Sequence, residues 1–268
     1  MKDKVVIITG ASSGIGKALA FEYAGHGAKV VIGARNHEKL TEIAEEIKLK
    51  GGDIAFAQTD VSKEADCKNL ILTAVERFGK IDVLINNAGI SMRALFEDVD
   101  LQVIKELMDV NFWGTVYCTK YALPFILKQK GSIVGVSSIA GMKGLPGRSG
   151  YSASKFAMEG FLESIRTENI KKGLYVLVAH PGFTTSNIRL TSRGSDGSQQ
   201  GESPRDEGKM MTAEKVASKI YGAVRKRKYG LILTFQGRAM MFINKFFPQW
   251  LDKQIYKEMA KEADSPFK

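Results

Sequence analysis

Tyr151 and Lys155 stand one helical turn apart in "YSASKFAMEGF", with only Ser152, Ala153 and Ser154 between them. At i and i+4 the two side chains leave the same helix face. A phenol in water ionises near pH ~10, so alone it is a poor base at neutral pH. A neighbouring ammonium favours the phenolate. Drawing its pKa toward the working pH makes a tyrosine useful as a general acid and base. The small residues at 152–154 leave room for other molecules to come close. Taken alone, Tyr-x-x-x-Lys is an ordinary exposed helix pair, so the chemistry needs further support.

A second stretch supplies it. "TGASSGIGKALA" (Thr9–Ala20) follows an apolar run and opens a helical one. Gly10 lets the chain turn sharply, Gly14 lets backbone approach a pyrophosphate, and Gly16 permits tight packing of helix on strand. The helix start then offers free N–H groups and a positive dipole end to phosphate. This predicts a dinucleotide cradle.

The elements that must position both stretches alternate along the chain. Strands are predicted at Val5–Thr9, Lys29–Gly33, Asp53–Gln58, Val83–Asn86, Ser132–Ser137, Tyr175–Ala179 and Leu231–Thr234. Helices are predicted at Gly14–Gly25, His37–Leu49, Glu64–Phe78, Val103–Lys128, Ser152–Lys172 and Ala213–Arg227. The strands are near-continuous apolar runs, as expected when both sheet faces are covered. The fold class is therefore α/β, a doubly wound, parallel, seven-stranded Rossmann-like sheet. Residues 1–235 should form the dinucleotide-binding and catalytic domain, and 236–268 an apolar and basic C-terminal extension of it. "TSRGSDGSQQGESPRDEGK" (Thr191–Lys209) is polar and glycine-rich and reads as a loop or lid.

The glycine spacing is TGxxxGxG rather than GxGxxG, and other stretches follow it in order: Asp60-Val61, "NNAG" (Asn86–Gly89), Asn111 in "DVNFWG", Ser138 in "GVSSIAG" 13 residues before Tyr151, and "HPG" (His180–Gly182). Together, over about residues 4–235, they resemble the short-chain dehydrogenase/reductase family. The resemblance implies a catalytic set of Asn111, Ser138, Tyr151 and Lys155. Tyr151 would pass a proton to or from the substrate oxygen while Ser138 holds that oxygen. Lys155 would bind the nicotinamide ribose and tune Tyr151, and Asn111 would anchor a water leading to solvent. The resemblance further implies cofactor contacts from Gly10, Ser12, Ser13, Gly14, Ile15 and Gly16. Others would come from Asp60 and Val61, from Asn87, Ala88 and Gly89, and from Pro181, Gly182, Thr184 and Ser186, besides Tyr151 and Lys155. His180 reads as a loop residue beside the cofactor. The three histidines show no metal-ligand spacing, so no metal is expected.

Cofactor choice is decided after the second strand, where "GARN" places Arg35 and Asn36 and no carboxylate. An acid there would hold the ribose 2′-OH of NAD, whereas Arg35 can clamp a 2′-phosphate. The expectation is NADP (NADPH), resembling the NADP-preferring branch that includes membrane-associated steroid and retinoid reductases. Ser13 stands where some NADP enzymes carry a basic residue, so NAD(H) remains the alternative.

Substrate shape should come from Ile90–Leu95, Ile139–Arg148 and Phe183–Lys209, with Met142, Leu145 and Pro146 as an apolar wall. Thr184 and Ser186 would meet a carboxamide or phosphate. These suggest a hydrophobic carbonyl or alcohol as the small-molecule partner. A cofactor-binding sensor without turnover, and an NAD(H)-using dehydrogenase of a small polar alcohol, are the competing readings.

The net charge is +10, and Arg205–Lys268 holds 14 Lys/Arg against 7 Asp/Glu. No nucleic-acid motif accompanies that charge, so nucleic acid is not the expected partner. The aromatic-rich segment after Lys228, with "RKRK" (Arg225–Lys228) before it, has two readings. It either packs over the cleft or at a subunit interface, or lies amphipathically on a membrane. The chain enters its first strand after four residues and carries only Cys67 and Cys118. A cytoplasmic chain with free thiols and no leader is expected, touching the inner face of a membrane only peripherally. Helix faces near Phe112–Tyr121 and Phe156–Ile165 suggest a homodimer or homotetramer.

Overall fold

Alternate residues of the first strand face opposite helix layers, and the rest of the fold follows from this. In the computed structural model, which describes residues 1–184, 188–201, 210–261, 265 and 267, β1 (Val5–Thr9) is buried throughout. Its Val6 and Ile8 pack in one core with Leu19, Leu40 and Ile220. Its Val5 and Ile7 pack in the other with Leu70, Ile126 and Leu162. A strand clothed on both faces needs apolar side chains at every position, which is why these runs do not alternate.

The order of the parallel sheet is β3-β2-β1-β4-β5-β6-β7. The strands are β2 (Lys29–Ala34), β3 (Asp53–Gln58), β4 (Val83–Asn86), β5 (Ser132–Val136), β6 (Tyr175–His180) and β7 (Leu231–Ile232). Ile8 of β1 stands in register with Ile32 of β2 on one side and Ile85 of β4 on the other. Between β1 and β4 the winding reverses, which opens a crevice at the carboxyl ends of the strands.

One layer holds α1 (Gly14–Gly25), α2 (His37–Leu49) and α7 (Ala213–Arg225), and the other α3 (Glu64–Phe78), α5 (Gly114–Lys128) and α6 (Ser149–Glu168). Cys67 and Cys118 are buried free thiols in the second layer. The neighbouring Cys67 thiol, and burial, push the Cys118 thiol upward.

Strands β2, β5 and β6 and helix α7 end one or two residues from their predicted bounds, α6 starts at Ser149 rather than Ser152, and three elements differ further. The single helix expected over Val103–Lys128 is α4 (Leu101–Met108), a π-helical turn at Asp109–Trp113, and then α5. The wider turn carries Asn111 into the interior, a usual setting for a functional side chain. The seventh strand stops at Ile232 because Thr234 accepts from the Gly237 amide at 3.1 Å and caps α8 (Phe235–Phe246). The helix expected to reach Lys172 closes at Glu168, followed by a short 3₁₀ turn over Ile170–Lys172.

The C-terminal segment forms two helices, α8 and α9 (Pro248–Ala260). Gly237 lets α8 seat closely, since a β-carbon there would lie 2.6 Å from Ile139. Lys143 pairs with Asp252 of α9 at 2.7 Å. No helix among the described residues is long and apolar enough to cross a membrane.

Candidate active site

The carboxyl ends of β1 and β4 are tied together where the crevice opens. The Thr9 hydroxyl accepts from the amides of Asn87 and Ala88, each at 3.0 Å. The Asn87 side chain donates to the Thr9 carbonyl at 2.9 Å. Gly10 then turns with φ +66°, and a β-carbon on it would stand 2.7 Å from Ala88 Cα. Gly14 also has positive φ (+52°). A β-carbon on Gly16 would run into the Gly10 carbonyl and stand 2.6 Å from Asn87 Nδ2. Backbone meets backbone across this turn, which any side chain would prevent.

Above it lies a cavity of about 1550 Å³, larger than the roughly 300–1,000 Å³ of a pocket for one small ligand. Gly10, Ser12, Ser13, Gly14 and Ile15 line its floor, and Arg35, Asn36, Asp60 and Val61 one end. Asn87, Ala88, Gly89, Pro181, Gly182 and Thr184 also border it. Gly16 packs beneath the turn instead. Ser186 lies outside the described residues, as do residues 202–209 of the predicted loop. The Thr184 hydroxyl donates to the Gly182 carbonyl at 3.2 Å, so it serves the local turn. Asn36 caps α2, its side chain accepting from the Lys39 amide at 2.8 Å. Lys39 lines the same end of the cavity as Arg35. It went unnoticed in the sequence, although its place three residues after a helix cap marks it as a first-turn side chain.

Ser138, Tyr151 and Lys155 meet on the cavity wall. Ser138 follows β5, while Tyr151 and Lys155 come from the first turns of α6. The Ser138 side chain stands close enough to the Tyr151 phenol to act on its ionisation. Lys155 is buried, donates to the Val136 carbonyl at 3.0 Å, and stands 5.9 Å from the Tyr151 ring centre. Asn111 sits behind them. Its side chain accepts from the Ile90 amide at 2.9 Å and donates to the Ile90 carbonyl at 3.0 Å and to Ser154 at 2.8 Å.

The electrostatics correct one expectation. The Tyr151 phenol is pushed up, not down. Burial is the main cause, opposed by the nearby Ser138 side chain and by the charge of Arg148. The Lys155 ammonium is brought down to about 8 by burial, with Glu159 acting the other way. Lys155 serves the end of β5 rather than the phenol. Arg148, which donates to Ser91 at 2.9 Å, is the cation that acts on Tyr151; no motif in the sequence marks it.

Two further expectations change. His180 is the last residue of β6 and buried, not in a loop. Its Nε2 lies 3.1 Å from Glu159 Oε2. Of the apolar wall, Leu145 faces the cavity, but Met142 and Pro146 fall outside its lining; Pro146 borders a separate groove with Tyr256. Met240 of α8 and Leu251 and Ile255 of α9 supply apolar lining that sequence periodicity did not assign. Among the described residues no group of three or more His, Cys, Asp or Glu is placed to hold a metal.

The family model for short chain dehydrogenase matches residues 4–196. The chain is 44% identical over 187 residues to 11-beta-hydroxysteroid dehydrogenase-like 2 of Arabidopsis thaliana, covering 69% of this chain and 60% of that protein. It is 42% identical to 11-beta-hydroxysteroid dehydrogenase A of Sesamum indicum, over 69% of this chain and 53% of that one. The chain therefore spans somewhat over half the length of these two relatives. An uncharacterized oxidoreductase of Bacillus subtilis (strain 168), YxnA, is 36% identical over 99% of this chain and 76% of its own length. Among solved structures, a short chain dehydrogenase/reductase from Burkholderia phymatum in complex with NAD superposes with a TM-score of 0.82 at 24% identity, over 93% of this chain and 95% of that one. An alcohol dehydrogenase from Thermococcus sibiricus complexed with 5-hydroxy-NADP gives 0.75 at 24%, over 86% and 94%. At that identity the two structures speak for the fold.

Proposed function

The chain belongs to the short-chain dehydrogenase family, and from that premise we propose that it is an NADP(H)-dependent oxidoreductase interconverting a ketone and a secondary alcohol on a hydrophobic, steroid-like or long-chain molecule. The observation that carries this reading is the convergence of Ser138, Tyr151 and Lys155 on one cavity with the glycine turn. The residues present suit a dinucleotide. The turn has no room for a side chain at Gly10 or Gly16, and Gly10 and Gly14 line the cavity. Arg35 and Lys39 flank the end where a 2′-phosphate would lie, and Arg35 offers a two-pronged donor.

The nicotinamide, when bound, supplies or accepts the hydride. Burial keeps Tyr151 a phenol at neutral pH, the form that gives a proton to a carbonyl oxygen during reduction. Ser138 holds that oxygen and stabilises the charge developing on it. Lys155, on the cavity wall, would hold the nicotinamide ribose. Asn111 holds the Ile90 backbone beside this group and carries the path for proton return. For the reverse reaction Tyr151 must lose its proton, which the cation of Arg148 assists.

Leu145, Met211, Met240, Leu251 and Ile255 give the cavity an apolar wall, which suits a hydrophobic substrate. Residues 1–235 would carry the cofactor and the chemistry, and 236–268 would close the substrate side. The exposed Phe242, Phe246, Phe247 and Trp250, with Lys245 and Lys253 among them, suit peripheral contact with an anionic membrane at the cytoplasmic face. Exposed Trp113 and Phe156 suit self-association as a homodimer or homotetramer.

The test is a panel of ketones and alcohols of graded size, followed by the absorbance of NADPH. Turnover should rise with apolar bulk and be faster with NADPH than with NADH. A chain that turns over no carbonyl or alcohol with either cofactor would sink the reading.

A further inference from the structure

One turn beyond Lys155 on α6, Glu159 reaches into the space between the ends of β5 and β6. Its Oε1 is hydrogen-bonded by the Ser137 hydroxyl, and its Oε2 lies 3.1 Å from His180 Nε2. Room for it exists because position 141 is glycine; a β-carbon there would run into the carboxylate and into Ser137. Ser137 and His180 are buried, and Glu159 is largely so. The nitrogens of His180 have no aligned hydrogen-bond partner among the described residues, so its contact with Glu159 is one of proximity. No step of the reaction above uses these three side chains.

We propose that Glu159, fixed by Ser137 and His180, is the internal counter-charge of Lys155: a positioning residue that keeps this lysine an ammonium while Tyr151 gains and loses its proton. Among the described residues, Lys155 meets the Val136 carbonyl and, across Gly89, Asn111 of the π-helical turn. Tyr151 and Glu159 stand one turn before and after it on α6, and Glu159 is anchored on Ser137, the residue next to Val136. His180 of β6 stands beyond Glu159, and Arg148 acts on Tyr151. Of these, Glu159 is the anion. Burial works against the ammonium and Glu159 works for it. An ammonium that deprotonated near neutral pH would lose its charge-assisted hold on a ribose. The consequence for catalysis rests on the oxidoreductase reading; the charge coupling does not.

The experiment is an NMR titration of the full cofactor-free chain carrying ¹³Cε-lysine, with the Lys155 signal assigned by its loss in Lys155→Met. Glu159→Gln should lower the Lys155 midpoint by about one pH unit, a tenfold change in its ionisation. Glu159→Asp, which keeps the charge, should restore most of that. Coupling is reciprocal, so Lys155→Met should raise the ¹³Cδ midpoint of Glu159 by the same amount. This second titration stands even if Glu159→Gln fails to fold. An unmoved Lys155 midpoint in folded Glu159→Gln, or an unmoved Glu159 midpoint in Lys155→Met, overturns the assignment. Neither titration needs turnover. Their failure leaves the oxidoreductase reading standing, and shifted midpoints in a chain without activity would do the reverse.

Discussion

The Lys155 ammonium donates to the Val136 carbonyl at 3.0 Å rather than to Tyr151, although the two side chains share one face of α6. The i, i+4 spacing brought them together, and the end of β5 then claimed the lysine. Burial so pushes the two pKa values in opposite directions, the phenol up and the ammonium down. Each group is thereby held toward its neutral form, as desolvation requires.

If Tyr151 is the proton carrier, Tyr151→Phe removes the hydroxyl and keeps the ring. Turnover should fall about 10²–10⁴-fold, the range of general acid–base catalysis. Binding of NADPH, read by fluorescence titration, should change less than about threefold. A matching loss of both would assign the side chain to the structure of the helix instead.

The buried ammonium should also show in stability. The pKa of Lys155 falls from 10.5 in water to about 8 in the fold. Between those values the unfolded chain binds more protons than the folded one, so this group makes stability rise with pH from about 8 to 10.5. Below pH 8 its desolvation cost is present in full. Lys155→Met should therefore stabilise the cofactor-free chain at pH 7 by roughly 2 kcal/mol, after allowance for the lost bond to Val136. The gain should shrink toward pH 10. Urea unfolding of both proteins at the two pH values measures it, and an equal difference at each would refute it.

Arg35 and Lys39 border one end of the cavity, which Asp60 also lines. Arg35→Asp replaces a phosphate clamp with an acceptor for a ribose hydroxyl. The ratio of kcat/KM for NADPH over NADH should drop at least about tenfold, one charge-assisted contact being worth about 1.5–3 kcal/mol. An unchanged ratio would show that the guanidinium does not read the phosphate.

The aromatic faces of α8 and α9 point to a surface test. Phe235 is 77% exposed and Phe242 68%, values at which an aromatic side chain gains little from the fold it belongs to. The chain should co-sediment with vesicles containing anionic lipid. Neutralising Arg225–Lys228 should weaken that several-fold, at about 1 kcal/mol per surface cation. No sedimentation of the parent chain would retire peripheral membrane contact.

The parts of this protein that repeat along the chain were visible in its sequence. Strand β1 and helices α1, α2 and α3 have the bounds predicted for them, because continuous apolar runs and 3.6-residue periodicity are local consequences of what each element buries. The glycine turn was visible for the same reason: a backbone that must approach another backbone tolerates no β-carbon, whatever lies beyond it. Packing between distant segments decided the rest. Whether the chain around Asn111 ran as one helix or widened into a π-helical turn depended on Ile90 and Ser154, which only the fold brings beside it. Leu251 and Ile255 look like any amphipathic face until α9 is laid over the cavity. The sign of the Tyr151 shift could not be read from its spacing to Lys155. That sign is set by how much water the finished fold removes, against the opposing pull of a hydroxyl and a guanidinium that separate segments bring to the phenol.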